Sequence, residues 1–129
     1  MGAGTHIGKV RGQGAAGHGG DHWIMQRVTA VGNILLTIWF VISLFLLPNF
    51  EYETLRAWLS QTMVAVPMML LILCLFKHIR LGLQVLIEDY VHDAGLKFGA
   101  IMLLNFYVIG AGALGIFAIV KIALTGAPQ

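Results

Sequence analysis

Residues 57–90 read AWLSQTMVAVPMMLLILCLFKHIRLGLQVLIEDY, and this stretch decides the fold. From Ala57 to Phe76 it carries no Asp, Glu, Lys or Arg. About 20 predominantly apolar residues suffice for a helix to cross a bilayer. The pattern then continues in helical register past Lys77, His78 and Arg80 to Ile87 or Tyr90. A helix starting near Trp58 and ending there is about 45 Å long, more than the roughly 30 Å of hydrocarbon, so it must tilt or protrude. Pro67 removes one backbone hydrogen bond and is expected to kink it.

Two more segments of the same kind flank this one. Val28–Phe50 and Phe98–Val120 each run 23 residues without a formal charge. The whole 129-residue chain is 58% hydrophobic and 11% charged, with mean hydropathy +0.83, which excludes an ordinary soluble domain. The expectation is an all-α membrane protein with three transmembrane helices at about 23–47, 58–90 and 96–124. Asp21 is the expected N-cap of the first helix and Pro48 its stop. Asn49–Arg56, with Glu51 and Glu53, reads as an exposed loop, and a short turn around Asp93 and Gly95 precedes the third helix. Three spans leave room for one membrane domain, residues 21–129, and none for a soluble catalytic domain.

Residues 1–20 form a glycine-rich N-terminal extension, expected to be irregular without a partner. Gly12-Gln13-Gly14-Ala15-Ala16-Gly17 matches the dinucleotide fingerprint in form, but no strand precedes it, so it is read as a chance match. The first 27 residues lack an apolar signal-peptide core, so the first span is expected to act as its own insertion signal. The single cysteine, Cys74, lies among leucines and reads as packing. A net charge of +2 without a basic-aromatic patch argues against nucleic acid as a partner.

Lys and Arg set the expected orientation. Lys9, Arg11 and Arg27 flank the start of the first helix and Lys97 the turn before the third, against Arg56 and Lys121 on the other side. This predicts a cytoplasmic N terminus, a C terminus outside, and a cytoplasmic location for the turn after Tyr90.

An ionisable group is costly in hydrocarbon, so His78 is a functional-site candidate. A neutral imidazole can hold a metal such as haem iron, and Gly82, one turn on, leaves space for a flat macrocycle. One histidine is one axial ligand. His6, His18, His22 and His92 fall outside the predicted hydrocarbon, so a second ligand would come from another chain. The other reading makes His78 a polar group packing against a neighbouring helix. Lys77 and Arg80 point elsewhere around the helix; they could pair with carboxylates such as haem propionates, but snorkelling to the cytoplasmic interface is the expected behaviour.

At about 100° per residue, positions eleven apart lie within roughly 20° of each other, so His78 and Asp89 share a face about 16 Å apart. Glu88, Asp89 and Tyr90 form an acidic, aromatic helix end. A tyrosine hydroxyl there can donate to a carbonyl oxygen and a carboxylate can relay a proton. Tyrosine is also common at interfaces for solvation reasons alone. Arg27, just inside the first helix, needs an anionic partner or water, and Trp23 is a candidate interface anchor. Ala111 and Gly115 form a small-xxx-small pair that permits close helix contact.

Two motifs together are specific: His-Trp-x-x-Gln-Arg-x-Thr-Ala at 22–30 and His-x-Arg-Leu-Gly-x-Gln-x-x-x-Glu-Asp-Tyr at 78–90. On these the chain resembles the small hydrophobic anchor, the D subunit of the cytochrome b pair, of bacterial succinate dehydrogenase (respiratory complex II). The resemblance covers residues 21 to 124 and leaves the first twenty unexplained. It implies that His78 is an axial ligand of haem b, that Tyr90 hydrogen-bonds ubiquinone, and that Asp89 assists protonation. It places Arg27 near a haem propionate and His22 on the same side. It also implies a flavoprotein subunit carrying FAD, an iron–sulfur subunit, and a second cytochrome b anchor subunit that completes the helical bundle and the haem ligation. The implied setting is the bacterial inner membrane, linking the tricarboxylic acid cycle to electron transport. This chain would be part of an oxidoreductase without being catalytic alone. The alternatives are the anchor of a quinol–fumarate reductase and a non-redox three-helix transporter or assembly subunit.

Overall fold

A computed structural model describes His6 and residues 19–126. Apart from His6, the glycine-rich extension before Gly19, with the fingerprint-like segment and His18, lies outside the described residues. Among the residues described from Gly19 onward, four helices follow in order: α1 (Gly19–Phe45), α2 (Tyr52–Ser60), α3 (Thr62–Tyr90) and α4 (Ala94–Thr125). Three of them, α1, α3 and α4, are long and apolar enough to cross a membrane. In hydrocarbon a helix satisfies its own backbone, which is why these apolar runs fold this way.

α3 is the middle element. α1 packs along one side of it and α4 along another, while α1 and α4 make no backbone-level contact with each other. The α3–α4 contact is close because small residues permit it. A Cβ on Gly115 would come 3.3 Å from Ile72, and one on Gly112 would lie 3.8 Å from Phe76. Gly115 therefore serves the helix contact expected of it, with Gly112 as the buried partner on the same seam. On the α1 side, a Cβ on Gly32 would meet Cys74 Sγ at 3.2 Å, so the lone thiol fills an interhelical gap.

The segment expected to be a loop is largely helical. Leu55, Trp58 and Leu59 recur at helical spacing and turn inward, while Glu51 and Glu53 stay exposed, so α2 is an amphipathic helix lying on the bundle end. Trp58 is buried with Val64, Ala65, Met68 and Ile119, and its ring packs 6.2 Å from that of Phe40. The second span accordingly starts at Thr62, not near Trp58. Gln61 adopts extended backbone between α2 and α3, flanked by Ser60 and Thr62, whose helix propensity is weak. Arg56 Nη2 donates to Thr125 O at 2.8 Å, fastening α2 to the last turn of α4. Gly126 lies so close to Ser60 that a side chain there would collide.

The remaining boundaries shift by a few residues. α1 already runs through Gly19, so Asp21 sits within its first turn, where a carboxylate interacts favourably with the helix dipole. α1 ends at Phe45, and a turn follows before Pro48. α4 begins at Ala94, capped by Asp93, whose side chain accepts from Leu96 N–H at 2.8 Å. α3 continues through Pro67 for 29 residues, about 44 Å of axis.

Candidate functional site

The α1–α3 seam is polar at mid-span. His22, Gln26, Thr29 and Asn33 recur on α1 at intervals of four, three and four residues, which places them on one face. Across from them Cys74, His78 and Gly82 recur on α3 every four residues. Thr29 is 5% exposed, and its Oγ1 lies 3.1 Å from His78 Nδ1. The same oxygen is 2.8 Å from Met25 O and 3.1 Å from Gln26 O. One turn toward Pro48, Asn33 Nδ2 donates to Cys74 O at 3.4 Å. Gln26 Oε1 and Asn33 Oδ1 are buried without a hydrogen bond among the described residues.

His78 is half-buried. It stands twelve residues before Tyr90, about 18 Å along α3 from the helix end. Among the described residues its only side-chain hydrogen bond is through Nδ1, so Nε2 is left for another group. No three His, Cys, Asp or Glu converge among the described residues. What His78 can offer within this chain is a single nitrogen ligand. Gly82 faces α1, and a Cβ there would lie 3.7 Å from Gln26 Nε2. The space this glycine opens is thus shared with a side chain of the neighbouring helix.

The charged residues are distributed around the bundle. Arg80 Nε donates to Asn105 Oδ1 of α4 at 2.6 Å. The expectation that Arg80 snorkels to the interface is therefore replaced by a hydrogen bond inside the α3–α4 contact. Lys77 is exposed. Arg27 is two residues from Thr29, hence about 200° around α1 from it, and its guanidinium lies exposed over the Trp23 ring at 5.4 Å from the centroid. The structure does not bring Arg27 to the His78 face. His22, half-buried, is on that face one turn beyond Gln26.

Asp89 and Tyr90 close α3 at the opposite end from α2. Both are exposed, Tyr90 by 77%. The turn beside them is held by Gln84 Nε2 donating to Glu88 Oε1 at 2.9 Å and by Lys97 Nζ donating to Glu88 O at 3.2 Å. The two side chains thus project from an anchored helix end. Sequence reading singled out His78, Asp89, Tyr90, Arg27, His22 and Gly82; it quoted Gln26 and Thr29 within the 22–30 motif without giving them a role, and it missed Asn33 and Asn105. The three- and four-residue spacing of polar positions along α1 was the available signal.

Comparison with known proteins decides the family. Residues 1–112 match the family described as succinate dehydrogenase/fumarate reductase transmembrane subunit. The chain belongs to this family. It is similar to the succinate dehydrogenase hydrophobic membrane anchor subunit of Rickettsia bellii (strain RML369-C), 27% identical over 105 residues, covering 81% of this chain and 84% of the relative. The subunit of the same name from Rickettsia conorii (strain ATCC VR-613 / Malish 7) is 27% identical over 106 residues, with the same coverage. That from Rickettsia felis (strain ATCC VR-1525 / URRWXCal2) is 27% identical over 95 residues, covering 74% and 79%. No solved structure matches. Family membership and three apolar spans together make this a multi-pass membrane protein.

Proposed function

We propose that this chain is the hydrophobic membrane anchor of a succinate dehydrogenase, contributing one haem b ligand and part of the ubiquinone-reduction site. The observation that carries this reading is an imidazole held at mid-span with one ring nitrogen engaged and the other available, in a chain of this family. The names of the relatives favour succinate dehydrogenase over the fumarate reductase that shares the family description.

The donor set fits haem b. His78 would supply one nitrogen to hold the iron, and a second cytochrome b anchor subunit would supply another ligand. Arg27 and His22 would lie on the propionate side, Arg27 through a guanidinium that can grip a carboxylate with two hydrogen bonds. When bound, haem b supplies a one-electron store within the membrane. The exposed outer faces of the spans, with Trp23 at one end, suit burial against lipid and the second anchor.

Quinone chemistry is assigned to the far end of α3. Reduction of a quinone to a quinol consumes two electrons and two protons. The electrons would come from succinate by way of the flavoprotein and iron–sulfur subunits, which hold FAD and the clusters. Tyr90 O–H donates to a quinone carbonyl oxygen, and this bond strengthens as that oxygen gains charge. Asp89, adjacent and exposed, passes protons from water to the site. The positive residues near the start of α1 and at Lys97 favour a cytoplasmic location for this end, where the soluble subunits would dock.

The test is a visible spectrum of the purified complex. Paired Soret and α bands of low-spin haem are expected, and His78→Ala should alter them or abolish them. An unchanged spectrum and haem content in an intact His78→Ala complex would remove the ligand assignment. A haem-free native complex would remove the haem assignment, and absence of succinate-to-quinone turnover as well would return the chain to a non-redox role.

A further inference from the structure

The hydroxyl of Thr29 has one hydrogen and three neighbours competing for it. Met25 O lies at 2.8 Å, Gln26 O at 3.1 Å and His78 Nδ1 at 3.1 Å. Both carbonyls are acceptors only. A threonine in a helix commonly directs its hydrogen to the carbonyl three or four residues back, and the shorter contact here is to Met25. With that hydrogen committed to the backbone, the side of Oγ1 facing His78 is a lone pair. A second lone pair on Nδ1 would oppose it at 3.1 Å. The contact is attractive only when Nδ1 carries a proton. In a neutral imidazole the other nitrogen, Nε2, then carries the free lone pair.

We propose that Thr29 is a positioning residue that fixes His78 as the Nδ1–H tautomer and so aims the Nε2 lone pair at the metal. This rests on the reading of His78 as an axial ligand. Ligating histidines characteristically donate their second ring N–H to an acceptor that sets tautomer and ring orientation and raises donor strength. Here the acceptor is a hydroxyl on the neighbouring helix, 49 residues away in sequence. Thr29 is buried, so water is kept from competing for Nδ1. The bond also couples the ligand to the α1–α3 contact: a rotation of α1 would carry the acceptor away from the ring.

The test compares purified complexes carrying Thr29→Val and Thr29→Ser. Valine keeps the branched shape without the oxygen, and serine keeps the oxygen without the methyl. Haem retention against a haem-scavenging apoprotein and the haem midpoint potential are the two readouts. Valine is expected to weaken haem binding by on the order of 10–100-fold, the usual effect of losing such a partner. It should also raise the midpoint potential, because a ligand without its acceptor is a weaker donor. Serine should remain close to the native protein in both. Native retention and potential in the valine complex would overturn the proposal, as would serine and valine being equally impaired. If the valine complex does not assemble, Thr29→Ala, which removes the oxygen and relieves crowding, carries the same comparison with serine. His78→Ala run in parallel separates the two ideas. Unchanged haem there defeats the ligand reading itself, whereas loss of haem there with a native-like valine complex defeats only the role of Thr29.

Discussion

Arg80 of α3 is joined to Asn105 of α4 by a 2.6 Å hydrogen bond from Nε to Oδ1. Asn105 lies eleven residues into α4, about 16 Å along its axis, so the bond sits well inside the span. A guanidinium in an apolar environment needs acceptors, and the amide oxygen supplies one without adding a charge.

Asn105→Leu should therefore destabilise the assembled complex by roughly 1–2 kcal/mol, the upper part of the range for interhelical hydrogen bonds in membranes. Asn105→Gln, which keeps the acceptor on a longer stem, should lose less. Thermal inactivation of the detergent-solubilised complex would measure both. Equal stability of the leucine variant would show that Arg80 finds its partner elsewhere.

Tyr90→Phe should depress succinate-to-quinone turnover while sparing electron transfer from succinate to an artificial acceptor at the flavin. The ring stays and only the donor is lost, and a charge-dependent hydrogen bond of this kind is worth about 10²-fold or more in rate. Asp89→Asn should slow quinone reduction with little change in the quinone KM, because it removes a proton carrier and keeps a similar shape. Parallel assays with the two acceptors distinguish these effects from misassembly, in which both activities fall together.

Gly115→Leu should disrupt the α3–α4 contact, since Ile72 already stands 3.3 Å from the position of an added Cβ. Overpacking of this kind costs about 1–3 kcal/mol. Gly110→Ala, where nothing lies within 4 Å of the added carbon, should be nearly neutral. Yield and melting temperature of the two complexes provide the comparison, and a Gly115→Leu complex as stable as Gly110→Ala would contradict the packing assignment.

A cysteine placed at the exposed Ala94, just past Tyr90, should be labelled by an impermeant thiol reagent only after the cytoplasmic face is opened. Cys74 replaced by alanine provides the background. Labelling of intact cells would invert the topology and move the proposed quinone end to the other side of the membrane.

The sequence by itself determined the three spans, because long uncharged apolar runs have only one way to satisfy their backbone in hydrocarbon. It also determined the spacing of His78, Asp89 and Tyr90, which follows from the period of one helix, and the break at Asp93. Helix α2 was legible in principle from Leu55, Trp58 and Leu59, but Glu51, Glu53 and Arg56 made the segment look like a solvated loop. Only the tertiary structure decided which faces meet. It put Thr29 against His78 and Asn105 against Arg80, and it turned Arg27 away from the His78 face. The reason is that helical period fixes angles within an element, whereas rotation of one helix against another is set by shape at the contact. Here Gly32 against Cys74 and Gly115 against Ile72 fix that shape, and neither pairing is written in the spacing of any single segment.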